Sequence, residues 1–444
     1  MIAAHEVGRL VSWSQHGAAS GVKVEGHEPG MARARRHFHA STRNGRKHRV
    51  GATGEPVFYR HVRAAESGYD GAGWRFMARS RWPGSCSSLL SFMKTGGLFG
   101  LVLHGIPLLL LLVVARPLAA QVHSITDLGT LGGAASEASA INGSGQVVGW
   151  SMTASGATHG FLYTDGVMTS LGTLRGGTSS RATGINDLGQ VVGSSGVNEY
   201  GPQFREFQQG FVWQNGTMRA LGSLFCPCNF NQRYGTSAAS AINASGQVVG
   251  DSGTAKGGAI RHAFLWHSRL MDDLEEEPGS RATSRAYGIN ASGQVVGVLE
   301  GRATLWHGGV ARDLGALPGD ASSTARAINA AGHVVGESLA GPLKSRAVLW
   351  HDGTTQDLGS LPGHTASQAN SVNAVGQVVG WSRSTAQSAS RAVLWQGNVG
   401  TDLNSVLPQN SGWVLTSATG INDEGQIVGV GLHNGRWRAF LLDR

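Results

Sequence analysis

Apolar and polar positions follow one pattern that returns seven times between residues 122 and 444. Each copy has an apolar residue and an Asn, a short polar turn containing Gly, and then a Val-Val or Ile-Val pair followed by Gly, as at 141–149. Short apolar runs on both sides of a tight turn predict strand, turn and strand. The recurring Asn occupies positions Asn142, Asn186, Asn243, Asn290, Asn329, Asn373 and Asn422. Their spacing of 39 to 57 residues is typical of a propeller or another repeat array.

The fifth repeat shows the unit clearly. It contains four short β-type segments, at 325–329, 333–338, 346–350 and 355–358. Four antiparallel strands of this length predict one propeller blade, whose two apolar faces are buried only when neighbouring blades pack on them.

A two-residue turn joins the third and fourth predicted strands. Five repeats use pairs that suit primed hairpin turns, namely Asp165-Gly166, Asn215-Gly216, Gly308-Gly309, Asp352-Gly353 and Gly397-Asn398. The third repeat has Ser268-Arg269, so we expect strain there. A large aromatic precedes each turn, at Tyr163, Trp213, Trp266, Trp306, Trp350 and Trp395. We interpret this row as core between blades rather than as a sugar-stacking surface.

The same hairpin carries a pairing rule. Wherever the residue that opens the third strand is Arg, the residue eleven positions later is Asp, and one His follows the rule as well. The pairs are His262 with Asp273, Arg302 with Asp313, Arg346 with Asp357 and Arg391 with Asp402. We predict cross-strand ion pairs of about 0.2 to 1 kcal/mol each. Repetition in several blades indicates a structural role, since an active site would be singular.

The two ends of the repeat region complement each other. The seventh repeat stops at Arg444 without a fourth strand, while residues 123–131 form an extra strand before the first repeat. We therefore predict an all-β fold, a seven-bladed propeller of four-stranded antiparallel blades closed by strand 123–131 on the last blade. This closure would place Asp127 beside Arg438 and remove free sheet edges. The alternative is an open β-solenoid.

Net charge changes this picture only at the beginning of the chain. The formal charge is +8, and residues 1–92 hold 14 basic and 6 acidic residues, whereas 121–444 holds 20 and 22. A nucleic-acid partner is therefore not predicted for the repeats. Residues 1–92 have no periodic apolar face and are expected to be a disordered basic extension, from a start codon placed too far upstream. The alternative is a basic arm that binds nucleic acid or anionic lipid.

Residues 93–120 have the pattern of a secretory signal peptide. Lys94 precedes an apolar run at 98–114, and Leu118-Ala119-Ala120, which ends in two small residues, precedes Gln121. The alternative is a signal anchor at 98–115. Both predict a secreted or periplasmic protein whose repeat domain spans 121–444, with no other membrane contact and as a monomer. Cys226 and Cys228 are too few for a disulfide framework or a metal site, and whether they form a bridge stays open.

All length variation falls on one side of the predicted disc. The turns after the first and third strands are constant, and we call their side the constant face; the loops on the opposite side, the variable face, differ in length. Insertions on one face usually carry recognition in repeat proteins. The candidate binding residues are Tyr200, Phe204, Arg205, Phe207, Phe230, Arg233 and Tyr234.

Catalytic motifs for hydrolysis, phosphate binding or calcium binding are absent from the sequence. Asp251 and Glu337 share one position after Val-Val-Gly, but they belong to blades that are not adjacent. The acidic run 272–277 is interpreted as a solvated turn rather than a cation site. We therefore assign no catalytic residue, no metal ligand and no cofactor.

The repeat formula resembles the HAF family of bacterial extracellular repeat proteins. The motif is Asp-Leu-Gly-x-Leu, then Ile-Asn-x-x-Gly-Gln-Val-Val-Gly, then His-Ala-Phe-Leu-Trp, literal at His262-Ala263-Phe264 and close at His159-Gly160-Phe161. The resemblance covers residues 123–444 and implies export and a propeller-like body, but no activity. Our hypothesis is a binding or scaffold protein for glycan or protein. The alternative is a secreted hydrolase or lyase acting on polysaccharide, which would need carboxylates clustered at the variable-face mouth. A surface adhesin would need an uncleaved 98–115 segment.

Export gives a direct test of the 93–120 interpretation. Because a signal peptidase cuts after small residues, N-terminal sequencing of the exported protein is expected to begin at Gln121. A product that retains residues 98–115 in the membrane fraction would contradict cleavage and support the anchor.

Overall fold

A computed structural model describes residues 124–198, 207–224, 235–254, 260–275, 281–341, 344–384 and 389–443. These residues form seven four-stranded antiparallel sheets, arranged as a seven-bladed β-propeller, which confirms the predicted fold class. Helix is limited in this part of the chain to one short 3₁₀ turn, Leu403–Val406. None of the described residues belongs to a helix with the length and hydropathy needed to span a membrane.

The first four blades follow one another along the chain. Their strands are β2 Gly132–Ile141, β3 Val147–Thr153, β4 Thr158–Thr164 and β5 Val167–Gly172 in blade 1; β6 Ser180–Ile185, β7 Val191–Val197, β8 Phe207–Gln214 and β9 Thr217–Gly222 in blade 2; β10 Ser237–Ile242, β11 Val248–Gly253, β12 Arg261–His267 and β13 Leu270–Asp273 in blade 3; and β14 Ser284–Ile289, β15 Val295–Leu299, β16 Arg302–His307 and β17 Val310–Asp313 in blade 4.

The remaining three blades complete the ring. Their strands are β18 Ser322–Ile328, β19 Val334–Gly341, β20 Lys344–His351 and β21 Thr354–Asp357 in blade 5; β22 Ala366–Val372, β23 Val378–Arg383, β24 Arg391–Gln396 and β25 Val399–Asp402 in blade 6; and β26 Trp413–Ile421, β27 Ile427–His433 and β28 Arg436–Asp443 in blade 7, together with β1 Ser124–Asp127. The first strand of each blade contacts the first strands of both neighbouring blades, so these strands surround the axis.

Strand β1 closes the ring by pairing antiparallel with β28. Asp127 lies opposite Phe440, and the Leu128 amide donates to the carbonyl of Ala439 at 3.1 Å. The strand is shorter than the predicted 123–131, because the chain turns after Leu128 towards blade 1, where the Leu131 amide donates to Ser151 Oγ at 2.9 Å. The predicted closure by the N-terminal segment is confirmed, and the open solenoid does not fit this topology.

The Val-Val pair of each repeat packs into both of the interfaces that its blade makes with the neighbouring blades. We call each such interface a seam. Successive strand residues point to opposite faces of a sheet. Val147 therefore contacts the cluster shared with blade 7, whereas Val148 contacts the cluster shared with blade 2. The same division holds in every blade, and the described residues form one apolar cluster in each of the seven seams. Burial on both faces explains why the run is continuously apolar rather than alternating.

The Gly after Val-Val is required by a β-bulge in the neighbouring first strand. Pairing slips by one residue between Ala138 and Ala140, and this brings the Glu137 carbonyl against Gly149. A Cβ at Gly149 would lie 2.0 Å from that oxygen. Only a residue without a side chain fits there. The corresponding Gly of the other six repeats meets a carbonyl at 1.9 to 2.1 Å in the same way.

The recurring Asn side chains form a closed hydrogen-bonded ring around the axis. Each Asn Nδ2 donates to the main-chain carbonyl of the Asn in the next blade, at 2.9 to 3.2 Å. Asn422 in blade 7 donates to the carbonyl of Asn142 in blade 1, which completes the circuit. The seven residues are 3% to 7% exposed. Each Oδ1 accepts the amide of the residue four positions later, as from Gln294 in blade 4 at 3.0 Å.

A second set of seam contacts uses Ser six residues before the Asn. Each Oγ accepts a main-chain N–H from the third strand of the preceding blade, at 2.8 to 3.0 Å. The residues are Ser136, Ser180, Ser237, Ser284, Ser323 and Ser367. Blade 7 has Thr416 at this position, and there Asn404 bridges to the main chain of Leu415 instead.

The hairpin turns between the third and fourth strands have the backbone conformation that was predicted, and in blade 3 this conformation is strained. Asp352 and Gly353 have φ of 48° and 74°, as primed turns require. In blade 3 the same conformation falls on Ser268 and Arg269, with φ of 49° and 67°. A side chain at such a φ costs roughly 1–2 kcal/mol per residue, so this turn carries the strain that its sequence predicts.

Removal of one Asn side-chain amide tests how much the hydrogen-bonded Asn ring contributes to the free energy of unfolding. Asn290→Ala removes bonds to Asn329, Gln294 and Ser292 from a buried position, and we expect the free energy of unfolding to fall by about 3 kcal/mol in urea denaturation. Asn290→Asp keeps the shape but removes both Nδ2 donor bonds, so it is expected to lose a similar amount. Ser292→Ala is the control, with a loss under about 1 kcal/mol; equal losses in all three variants would contradict a specific role for the ring.

Candidate functional site

A groove of about 820 Å³ lies between blades 4 and 5. We call it the seam groove. Its floor is apolar and includes Leu305, Ile328, Val334 and Trp350. Its walls are polar and include Gln294, Arg312, His351, Asp352 and Thr354. The strand β17 forms one wall, and the constant-face turns of blade 5 form the other.

The rim of this seam lacks the side-chain bridge that the next seam has. In the next seam, between blades 5 and 6, Gln356 Nε2 donates across the gap to Asn398 Oδ1. The equivalent positions in the seam groove are Arg312 in β17 and Gly353 in the blade 5 turn. Gly353 has no side chain that could accept a hydrogen bond, and Arg312 Nη2 lies 3.7 Å from the place where a Cβ of Gly353 would be. The groove therefore remains unbridged at its rim.

The rim offers groups of both charges to a ligand. Arg312 is exposed and makes no ion pair or hydrogen bond with the other described residues. The side chain of Asp352 is 85% exposed, and its Oδ2 lies 3.1 Å from His351 Nε2. Gln294 Oε1 accepts from Asn290 Nδ2 at 2.7 Å, so its Nε2 is a donor without a partner among the described residues. Donors and acceptors thus stand side by side above an apolar floor.

His333 links the groove to the Asn ring. It replaces the Gln found at this position in the other six repeats, and its Nδ1 lies 3.0 Å from Asn329 Nδ2. Since that amide nitrogen is a donor, the imidazole accepts and is neutral. Its ring centroid is 4.2 Å from that of His351. Burial lowers the pKa of His333 below the ordinary 6.5, His351 lowers it further, and Asp352 opposes the change.

The predicted variable-face residues fall mostly outside the described residues. Tyr200, Phe204, Arg205, Phe230, Arg233 and Tyr234 all lie there. Phe207 is described, and it begins β8 and pairs with Val197 instead of lying in a loop. Part of the insertion in blade 2 is therefore an extension of the β7–β8 hairpin. The two cysteines of the predicted loop, Cys226 and Cys228, also lie outside the described part.

The predicted ion pairs are short in the structure and are diagonal across the hairpin. The distances are 3.1 Å for Arg302 to Asp313, 3.4 Å for Arg346 to Asp357, 3.2 Å for Arg391 to Asp402 and 2.8 Å for His262 to Asp273. At the closure, Arg438 Nε lies 3.8 Å from Asp127 Oδ2, while His433 Nδ1 lies closer, at 2.8 Å. Arg346 also binds the buried Asp320 at 2.8 Å, a partner that the repeat pattern did not indicate.

The candidate carboxylates of a hydrolase are each held by a partner. Asp251 pairs with Arg261, and Glu337 accepts from Arg326 Nη2 at 2.7 Å. Glu137 accepts from Trp150 Nε1 at 3.2 Å. Burial raises the pKa of Glu137, while the Trp150 bond and the charge of Arg181 counteract this. Asp272 and Asp273 of the acidic run lie beside His267 and His262. The described residues contain no group of three His, Cys, Asp or Glu side chains arranged to hold a metal ion.

The groove residues were missed because repeat analysis searches for what the copies share. His333, which lies beside the groove residue His351, differs from its counterparts, whereas Arg312 and Gly353 line the groove with residue types that other blades also have at these positions. His333 could have been found as the one departure from Gln in seven copies. Arg312 gives no such signal, since Arg219 occupies the same position in blade 2 without lining the groove.

Comparison with known proteins gives a family match over part of the chain. The family described as "Protein of unknown function (DUF3466)" matches residues 175–314, which run from the connection before blade 2 to the end of blade 4. No curated protein matches the sequence.

Several solved structures are similar in fold at low identity. They include a puromycin-hydrolysing peptidase of Mycobacterium tuberculosis, with 12% identity, a TM-score of 0.41, and coverage of 70% of this chain and 50% of the peptidase. TolB of Acinetobacter baumannii has 12% identity, a TM-score of 0.35 and coverage of 65% and 76%. A gluconolactonase of Xanthomonas campestris has 10% identity, a TM-score of 0.34 and coverage of 74% and 92%. The chain thus matches half the length of the peptidase.

The His333 contact predicts acid sensitivity. Because its pKa is lower in the folded protein, the unfolded chain binds a proton first as the pH falls through about 6.5, and the free energy of unfolding then decreases. His333→Gln restores the group used by the other blades, so its unfolding free energy, measured in urea from pH 7 to pH 5, is expected to fall less steeply. His307→Gln, an exposed histidine outside the ring, is the control; an unchanged slope in His333→Gln would contradict the assignment.

Proposed function

We propose that this protein is an exported, non-enzymatic β-propeller that binds a glycan segment in the seam groove. The observation that carries the proposal is the groove itself, whose volume of about 820 Å³ lies in the range of ligand sites. It is formed by strand and turn residues of two blades and thus by rigid parts of the fold. The variable face stays a second predicted surface for recognition.

The chemistry of the groove favours a sugar chain over a purely apolar ligand. Sugar hydroxyls both donate and accept, and the rim provides donors at Arg312 and Gln294 and acceptors at Asp352. The apolar floor suits the C–H faces of the sugar rings. The guanidinium of Arg312, which has no partner among the residues that the structure describes, further favours an acidic sugar, because planar bidentate bonds to carboxylates are its strongest interactions.

The sequence supports export and a binding role independently. The apolar segment at 98–114 and the resemblance to the HAF-repeat family both favour a protein that works outside the cytoplasm. A polysaccharide hydrolase or lyase is the second candidate, and the raised pKa of Glu137 is the observation in its favour. Glu137 is already engaged by Trp150, which is why we place binding first.

A glycan array followed by calorimetry tests the proposal. It compares variants of two arginines that occupy equivalent strand positions in different blades. Arg312→Ala removes the charged donor of the groove, and we expect roughly tenfold to hundredfold weaker binding of the glycans that the exported protein selects. Arg219→Ala changes the same strand position in blade 2, outside the groove, and is expected to keep the affinity of the unaltered protein.

Three outcomes would overturn parts of the proposal. Equal binding by both variants would move the site away from the seam groove and towards the variable face. Absence of any selected glycan would contradict a glycan ligand. New reducing ends from a bound polysaccharide, lost in Glu137→Gln, would identify the protein as an enzyme.

A further inference from the structure

The axis of the propeller opens on the constant face into a small cavity of about 280 Å³. We call it the axial mouth. It is lined by first-strand Ile residues of blades 1 to 4, by four of the ring Asn residues and by five of the residues that follow a ring Asn. The last group includes Gly143, Asp187, Ala244, Ala291 and Asp423. This cavity is separate from the seam groove and from the variable face.

The chain itself shows that the rim of the axial mouth accepts carboxylates. The Gly143 amide donates to Asp187 Oδ1 of the next blade at 2.9 Å. The Ala374 amide donates to Asp423 Oδ1 of the next blade in the same way, at 2.7 Å. In both cases the residue after one ring Asn offers its N–H to the residue after the next ring Asn. The bond forms where that second residue is Asp.

The main-chain N–H of the residue after the ring Asn has no acceptor among the described residues where the next blade carries Ala at the equivalent position. The amides of Ala244 and Ala291 are followed around the ring by Ala291 and Ala330, whose side chains cannot accept. Neither amide donates to a described residue. Two adjacent positions therefore repeat the donor geometry of Gly143 and Ala374 without the carboxylate. An unpaired N–H gains most from an ionised acceptor.

The charges around the axial mouth limit which kind of ligand could supply a carboxylate to these two amides. The lining has two carboxylates, Asp187 and Asp423, and no Lys, Arg or His. A simple anion would be repelled by them, whereas a cationic group would be attracted. We propose that the axial mouth binds a small zwitterion of the α-amino acid class. Its carboxylate accepts from the amides of Ala244 and Ala291, and its ammonium lies on the side of Asp187 and Asp423.

The binding test compares three small probes on the exported protein. Glycine carries both charges, acetate only the carboxylate and methylammonium only the cation. We expect glycine to bind in calorimetry at least tenfold more tightly than either of the others. Failure of glycine to bind, or equal affinity for acetate, would overturn the proposal.

A variant whose own side chain occupies the proposed carboxylate site tests where glycine binds. Ala291→Asp places in blade 4 the residue that blades 2 and 7 already have, so its carboxylate should accept from Ala244. We expect at least tenfold weaker glycine binding, and a melting temperature higher by roughly 2–4 °C from the added hydrogen bond. Val375→Asp adds the same charge one residue later in the corresponding turn of blade 6 and is the control.

The two readouts of Ala291→Asp keep the test decisive. Weaker glycine binding in Ala291→Asp but not in Val375→Asp supports occupation of the open amides. Equal loss in both variants would show a charge effect at a distance and overturn the assignment, and so would a lower melting temperature in Ala291→Asp. Arg312→Ala, which concerns the seam groove, is expected to leave glycine affinity unchanged, so the two proposals fail separately.

Discussion

Each blade depends on its neighbour for a hydrogen bond that it cannot make alone. The ring Asn is at most 7% exposed, and one of its two Nδ2 hydrogen bonds is accepted by the next blade, while the other stays within its own repeat. A buried amide without its partner costs about 1–3 kcal/mol, so an incomplete ring would leave such a cost at its break. The Val-Val pairs also make each blade depend on its neighbours, because one Val is buried against the preceding blade and the other against the following blade. The closing strand β1 is therefore a requirement of the whole ring and not a local addition.

The architecture could be predicted from the sequence because the blades repeat their packing. The recurring Asn marked the turns, the aromatic row marked the third strands, and the unmatched strand before the first repeat predicted the closure. Strand ends were less accurate, since β1 ends at Asp127 whereas its apolar and polar pattern continues to residue 131. The pattern did not indicate that the Asn side chains join one another or that the Gly after Val-Val faces a bulge. Both depend on contacts between residues that are distant in the sequence.

The candidate site was harder to predict for a physical reason. Shared positions maintain seams, and seven equal seams would leave no singular place for a ligand. Function in such a ring arises where one copy departs from the rest. His333 brings a titratable ring to a position that otherwise holds an amide, and Asn398 bridges one seam from a turn position where Gly353 and most other copies have no side chain. The departures are visible in the sequence, but their effect is visible only once the blades are placed side by side.

The hydrogen bonds of the Asn ring all run in one rotational sense, from each blade to the next. Seven amide dipoles arranged head to tail around a closed circle add to nearly zero in the plane of that circle. The ring that fixes the geometry of the axis therefore contributes almost no net field there. Electrostatic character along the axis is left to the few residues that break the sevenfold symmetry, and it can change through them without disturbing the scaffold.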